Sequence, residues 1–342
     1  MESSKSKRPV IIAEAGVNHN GSLETALKMV DVAREARAYY IKFQTFKTEL
    51  LVSRNTPSAF YQKKNCGSES QFEMLKKLEL NWESFKLIKE YCHQKGIGFL
   101  STPFDTESLD FLVNLGMDYI KVPSGEITNL PFLREIAKTH IPAIISTGMS
   151  TIGDIKNVID VFRKENYNDN MLVLLHCNTQ YPTPLHDVNL RAMESMRKIF
   201  GIPVGYSDHT KGIEVALAAS ALGAEIIEKH FTLDNSMEGP DHAASLNPEE
   251  LKSMVRNIHN IREALGSAVK TVSPSEMTNM AAARKSIVAS RHINKGEIFS
   301  EENLTVKRPG TGISPMHWDE IIGKKATVDY EKDEIIRENF RI

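Results

Sequence analysis

Cysteine is scarce. Cys66, Cys92 and Cys177 stand at unrelated spacings, which excludes a disulfide framework or a zinc knuckle and suits reduced thiols in the cytoplasm. No stretch approaches the roughly 20 apolar residues of a membrane span, and the polar, basic start Met1 to Pro9 leads into no apolar secretory segment. An excess of either charge is also lacking. Basic residues number 42 and acidic ones 44, for a formal net charge of -2, so there is no electrostatic footprint for nucleic acid or an anionic membrane. Any anion must be bound locally. The glycines of Gly16 to Gly21 lack the spacing of a dinucleotide-binding turn, which removes NAD from consideration.

What is present is regular alternation. Short β-rich runs alternate with amphipathic helical segments from Val10 to about Gly266, the pattern of parallel strands joined by helical crossovers. Eight runs are counted: Val10 to Ala15, Tyr39 to Thr45, Gly98 to Thr102, Tyr119 to Pro123, Ala143 to Thr147, Leu172 to Cys177, Val204 to Ser207 and Glu225 to His230. Eight such units predict a closed (β/α)8 TIM barrel over residues 1–266. Asn247-Pro248-Glu249-Glu250 reads as a capping box with proline at the first helical position. It predicts a helix ending at a left-handed cap on Gly266. Further helices are expected from Ser22 onward and from Thr210 to Gly223. Residues 267–283 read as a linker that can carry a short helix. Residues 284–342, with short β segments punctuated by Gly296, Pro309, Gly310 and Gly312, read as a small β-rich second domain.

Barrel enzymes draw their reacting groups from the carboxyl ends of the strands, and these ends are loaded with polar residues. Strand one ends in Glu14, followed by Asn18, His19 and Asn20. Strand two delivers Lys42 and Gln44 on one face. Strand four delivers Lys121, Ser124 and Glu126, and strand five ends in Ser146-Thr147-Gly148, whose amides could hold an oxyanion. Two lysines with hydroxyls suit a phosphate ester. Against this stands the plain alternative that each lysine pairs with a carboxylate such as Glu14. Lys42, Lys121 or Lys229 could also act as a Schiff-base nucleophile. His209 and His230 end neighbouring strands roughly 5 Å apart and can chelate one labile divalent ion, without selecting manganese, magnesium, cobalt or zinc. Asp241 is placed to reach the same mouth. Cys177 reads as a small buried core residue, Phe104 as a pocket wall or core, and Tyr181, on a loop stiffened by Pro182 and Pro184, as a substrate contact.

Taken in order, Ile12-Ala13-Glu14-Ala15-Gly16-Val17-Asn18-His19-Asn20-Gly21, Lys42-Phe43-Gln44, Pro123-Ser124-Gly125-Glu126, Tyr206-Ser207-Asp208-His209-Thr210 and Glu228-Lys229-His230-Phe231-Thr232 resemble the sialic acid synthase family. Lys307-Arg308-Pro309-Gly310 resembles its carboxyl-terminal antifreeze-like (SAF) module. The resemblance implies condensation of phosphoenolpyruvate with an N-acetylmannosamine-type sugar, giving a nonulosonic acid and phosphate. It implies that Lys42, Lys121 and Ser146 neutralise phosphoenolpyruvate, with Gln44 and Ser124 as further contacts. Glu126 and Tyr181 would bind the sugar, and Glu14 or Asp241 would handle protons. A divalent metal on His209 and His230 would polarise the aldehyde, with manganese expected and magnesium or cobalt as alternatives. It also implies a swapped homodimer in which Arg308 reaches the partner's sugar site. Ser68-Glu69-Ser70-Gln71, Gly125 to Pro131 and Gly239 to His242 look closest to the legionaminic acid branch, which takes a 2,4-diacetamido-6-deoxy sugar. Two departures stand out. Arg37-Ala38 replaces the family's usual Gly-Ala before strand two, and Asn178-Thr179 replaces its usual loop residues after strand six. The rival readings are a Schiff-base aldolase and a non-catalytic sugar-binding protein of the same architecture.

Overall fold

The structure, a computed structural model, describes residues 9–57 and 70–337. Cys66, Ser68, Glu69 and the start of the chain up to Arg8 lie outside the described residues. The chain divides into two compact units, Met1–Gly266 and Ser267–Ile342.

In the first unit eight parallel strands, β1 (Val10–Gly16), β2 (Tyr40–Thr45), β3 (Gly98–Pro103), β4 (Ile120–Val122), β5 (Ala143–Ser146), β6 (Leu172–His176), β7 (Val204–Asp208) and β8 (Ile226–His230), pair in the order β3-β2-β1-β8-β7-β6-β5-β4. β3 and β4 lie beside each other and close the barrel. The two-residue period of a strand divides its side chains between two cores. Ile11, Ala13, Ile41, Phe43, Leu174 and Ile227 point outward into the large core shared with the helices. Ile12, Leu100, Ile144, Leu175 and Ile226 form a separate apolar layer, the packed plug that fills a barrel of this size.

The helix Pro248–Leu265 starts where the capping box predicts: Asn247 accepts from Glu250 N and the Glu250 carboxylate accepts from Asn247 N, while Leu251, Met254, Val255 and Ile258 are buried. Two boundaries differ from expectation. Gly266 has φ +53° but ψ -133°, so it is a positive-φ stop outside the left-handed helical region. The helix expected from Thr210 begins only at Glu214, because the Thr210 amide and hydroxyl both donate to Asp208 Oδ1 at 2.9 and 2.8 Å. That local turn competes with the helical ladder. Arg37, where the family usually has glycine, sits at φ +62°, a conformation that costs an L-residue stability and touches no reacting group.

The second unit contains the helix Pro274–Ala283, so the segment read as a linker carries a short helix through the whole of its second half. An antiparallel pair follows, β9 (Ser286–Ala289) with β10 (Leu304–Lys307), around a small core that includes Ile287, Ile293, Phe299, Leu304 and Tyr330.

Candidate active site

Charged and polar side chains occupy the next step up the strands from the apolar plug. Moving two residues along the same face turns Ile12 into Glu14, Leu100 into Thr102, Ile144 into Ser146, and Ile226 into Glu228 and then His230. Polar side chains therefore converge above a dry layer. They line a cavity of about 180 Å³ together with Lys42, Gln44, Phe104, Lys121, Ser124, Thr179, Tyr181, Ser207 and His209.

At its base two lysines and two glutamates interlock, all of them almost wholly buried. Lys42 Nζ lies 2.7 Å from Glu14 Oε2 and 3.6 Å from Glu228 Oε2, and donates to Thr102 Oγ1 at 3.0 Å. Lys121 Nζ donates to Ser146 Oγ at 2.6 Å and stands 3.9 Å from Glu228 Oε1, which accepts from Ser207 Oγ at 2.9 Å. Burial pushes the Glu14 carboxyl up towards neutrality, with Glu228 adding to the rise and Lys42 opposing it. Burial acts on Glu228 in the same direction, but the fields of Lys121 and Lys42 and the Ser207 hydroxyl outweigh it and hold Glu228 ionised. Lys42 is kept as an ammonium by Glu14 and Glu228 against its own burial, whereas burial lowers Lys121, where the opposing field of Glu228 is partly cancelled by Lys42. An anion entering beside Lys121 and Ser146 would supply the negative charge this cluster lacks.

Above the cluster the imidazoles of His209 and His230 have centroids 5.5 Å apart. His209 Nδ1 contacts the Asn178 carbonyl, which can only accept, so Nδ1 carries the proton and Nε2 presents its lone pair. Nε2 accepts from the Tyr181 hydroxyl at 2.9 Å. A carbonyl fixing the tautomer in this way is the usual support of a metal-ligating histidine. His230 Nδ1 is buried without a hydrogen-bond partner and lies 4.0 Å from Asp241 Oδ2. Burial pushes His209 down to about 4, and burial with His209 beside it lowers His230 further, so both rings are neutral as ligation requires. Burial raises the Asp241 carboxyl to about 6. No group of three or more His, Cys, Asp or Glu side chains converges as a metal site among the described residues. An ion held here would rest on two imidazoles, with its other positions open to water or substrate.

Residues 29–270 match the NeuB family and residues 284–340 the SAF domain. The chain belongs to the NeuB family. It is 50% identical over 333 residues to an N,N'-diacetyllegionaminic acid synthase of Campylobacter jejuni, covering 97% of this chain and 100% of that one. It is 47% identical over 323 residues to the synthase of the same name in Legionella pneumophila, covering 93% and 90%. Its fold is similar to that of N-acetylneuraminic acid synthetase from Leptospira borgpetersenii, solved in complex with citrate, with TM-score 0.70, 35% identity, and coverage of 80% of this chain and 91% of that chain. The resemblance carried by the motifs is thereby established, as is a TIM barrel followed by an SAF domain.

In this NeuB-family barrel the structure gathers Glu14, Lys42, Gln44, Lys121, Ser124, Ser146, Tyr181, His209 and His230 around one cavity, with Asp241 on an adjoining one. Three expectations change. The amides of Thr147 and Gly148 are not available to an oxyanion, because they donate to Leu175 O at 2.9 Å and Ser124 Oγ at 3.0 Å. Gly148 is glycine for the same reason: a Cβ there would stand 2.6 Å from Thr179 Cγ2 and 2.8 Å from Ser124 Oγ. Glu126 does not line the cavity, and its carboxylate accepts from Asn129 Nδ2 at 2.6 Å. Lys229 alternates to the opposite face from Glu228 and His230, where its buried ammonium pairs with Asp208 at 2.8 Å, so it is no Schiff-base nucleophile of this cavity. Arg308 belongs to the second unit, where its Nε donates to Ala283 O at 3.1 Å. Of the loop after β6, Thr179 lines the cavity while Asn178 acts through its backbone carbonyl. Phe104 is a wall of the cavity, and Cys177 is buried.

Glu228, Thr102 and Ser207 were absent from the predicted site. The signal that finds them is the period of two, since Glu228 precedes His230 and Ser207 precedes His209 by one strand repeat.

His19, which does not line the cavity, sets a pH dependence of stability. Burial, with His242 beside it, lowers it from an ordinary 6.5 to about 4. A depressed imidazole costs nothing above pH 6.5, and the cost grows as pH falls towards 4, because the unfolded chain takes up a proton that the folded one refuses. The limit is about 3 kcal/mol. His19→Asn, which offers an acceptor for the Gly21 amide now bonded to Nδ1 at 3.1 Å, should flatten the stability loss between pH 7 and 4 in urea titrations. An unchanged slope would assign the acid sensitivity elsewhere.

Proposed function

We propose that this NeuB-family protein is a nonulosonic acid synthase that condenses phosphoenolpyruvate with an open-chain 2-acetamido-mannose-type sugar, with the 2,4-diacetamido-2,4,6-trideoxy sugar of the legionaminic branch as acceptor. The observation that carries it is the union, in one buried cavity, of a lysine-rich anion cradle with two neutral imidazoles.

Lys121, Lys42 and Ser146 hold the phosphate and carboxylate of phosphoenolpyruvate, with Gln44 and Ser124 as further polar contacts. A divalent ion on His209 and His230, manganese in this reading with magnesium or cobalt as alternatives, would polarise the sugar aldehyde as a Lewis acid. Carbon 3 of phosphoenolpyruvate attacks the aldehyde carbon. Water adds at carbon 2, and the tetrahedral intermediate loses phosphate with the former enol oxygen, leaving the ketone of the product. Glu14, beside Lys42 at the cavity base, and Asp241, beside His230, are the carboxyls that move these protons, and burial raises both towards neutral pH. Tyr181, bonded to His209, binds the sugar.

The aldolase alternative needs a neutral nucleophilic lysine: Lys42 is held as an ammonium and Lys229 is paired on the opposite face, which leaves Lys121, lowered by burial, as its candidate. In the synthase reading borohydride with pyruvate should leave the protein unmodified, and a covalent adduct on Lys121 would favour the aldolase. We further propose a cytoplasmic homodimer in which the SAF domain of one chain covers the barrel of its partner. Co-assembled Arg308→Ala and barrel-inactivated chains should recover activity, and verified heterodimers without recovery would refute the arrangement.

The deciding experiment strips the protein with chelator and supplies phosphoenolpyruvate, manganese and either N-acetylmannosamine or its 2,4-diacetamido-trideoxy counterpart, reading phosphate release. Release that needs both sugar and metal supports the synthase. Release in chelator would remove the metal, and none with either sugar would remove the function.

A further inference from the structure

Next to the reactive cavity lies a second one of about 250 Å³, which shares Gln44, Phe104, Tyr181 and His230 with it. Its polar groups include Asp241 and Gln71 in addition to the shared ones. The remaining wall is apolar, built from Val17, Phe46, Leu51, Met74 and Leu78. These side chains come from the ends of β1 and β2, the short helix Thr48–Leu51 and the helix Gln71–Leu78. They form a hydrophobic cluster of their own, apart from both the plug inside the barrel and the core beneath the helices. Most satellite clusters pack shut under a loop. This one borders open space that shares four of its lining residues with the first cavity.

We propose that this wall determines which sugar is accepted. It receives the end of the acceptor remote from the aldehyde, packing the carbon 6 methyl and the acetamido methyl of a 2,4-diacetamido-6-deoxy sugar, while Gln44, Tyr181 and Asp241 meet its polar groups. The inference rests on the synthase reading and adds the residues that choose its substrate. A hydroxymethyl or hydroxyl in the same place would lose its water against Val17, Met74 and Leu78, whose side chains offer no hydrogen bond. Apolar pockets separate substrates that differ by one such group by about 10–200-fold. The wall should therefore favour the diacetamido sugar over N-acetylmannosamine by at least about tenfold.

The test compares kcat/KM for the two sugars in the wild type, in Leu51→Asn, whose side chain is only partly buried, and in Met74→Gln, which keeps the length of the side chain. The KM for phosphoenolpyruvate and the melting temperature report whether each variant retains a folded site. In both variants the preference for the diacetamido sugar should fall about tenfold while the KM for phosphoenolpyruvate stays within twofold, of the order of a single-group discrimination. An unchanged preference in two folded variants, or a wild type that favours N-acetylmannosamine, overturns this inference and leaves the synthase reading standing. A wild type that releases phosphate with neither sugar overturns the synthase reading and this inference together.

Discussion

His209→Ala should abolish divalent-metal binding and lower phosphate release by more than about a hundredfold, with the barrel intact. Changing a group that merely supports a ligand costs roughly 10–100-fold in metal affinity, and loss of one of two imidazoles exceeds that. The fold should survive. The His209 ring is held by the Asn178 carbonyl, Tyr181 and Ser207, contacts that an alanine forfeits without uncovering the main core, because neither His209 nor Tyr181 belongs to it. Manganese binding measured by paramagnetic resonance, with the melting temperature, separates the two effects. A variant that still binds manganese at wild-type affinity would show that His209 is no ligand. Full activity of the wild type in chelator would show that the imidazoles serve the reaction without a metal.

Lys42→Met should lower kcat/KM for phosphoenolpyruvate by about a thousandfold, the upper range for removal of one preorganised electrostatic contact, and change the KM for the sugar little. The ammonium stands 2.7 Å from Glu14 and 3.6 Å from Glu228. Its loss therefore also leaves two buried carboxylates without the cation between them. Breaking a buried pair in this way costs about 3–5 kcal/mol, unless Glu14 takes a proton, which its burial already favours. The structural effect can be isolated by a second change. Lys42→Met with Glu14→Gln should regain most of the stability; Glu14 itself carries protons in this reading, so the anion role is read from phosphoenolpyruvate binding in Lys42→Met alone. Unchanged phosphoenolpyruvate kinetics in Lys42→Met would take the lysine out of the anion site.

The two predictions probe neighbouring layers of one arrangement. A dry plug of Ile12, Leu100, Ile144, Leu175 and Ile226 lies one step below the lysine–glutamate cluster, and the imidazoles lie above the cluster at the mouth. The plug keeps bulk water from the base of the site, so charges there act through a less polar medium than water. That is why Glu14 can approach neutrality while Glu228, between two ammoniums, stays ionised. Lys229 and Asp208, one residue out of phase, form an ion pair of their own on the opposite face. Their separation from the cavity follows from the pleat alone.

The sequence by itself determined the eight strands and most of their helices, because alternation of apolar residues at periods of two and near four is a local property of the chain, and caps such as Asn247 with Glu250 act within one turn. It also located His209 and His230 at strand ends and Lys42 and Lys121 within the runs that lead to them, since the runs can be read directly and barrels place their chemistry towards those ends. Only the tertiary structure decided how these groups meet. Glu228 stands against Lys42 and Lys121, residues more than 100 positions away, the Gly148 amide is taken by Ser124 in the turn after β4, and Met74 and Leu78 turn their apolar face to the cavity from a helix outside the strand–helix alternation. Which partner a side chain finds depends on strand register and on packing between distant segments, and neither is written in the spacing of neighbouring residues.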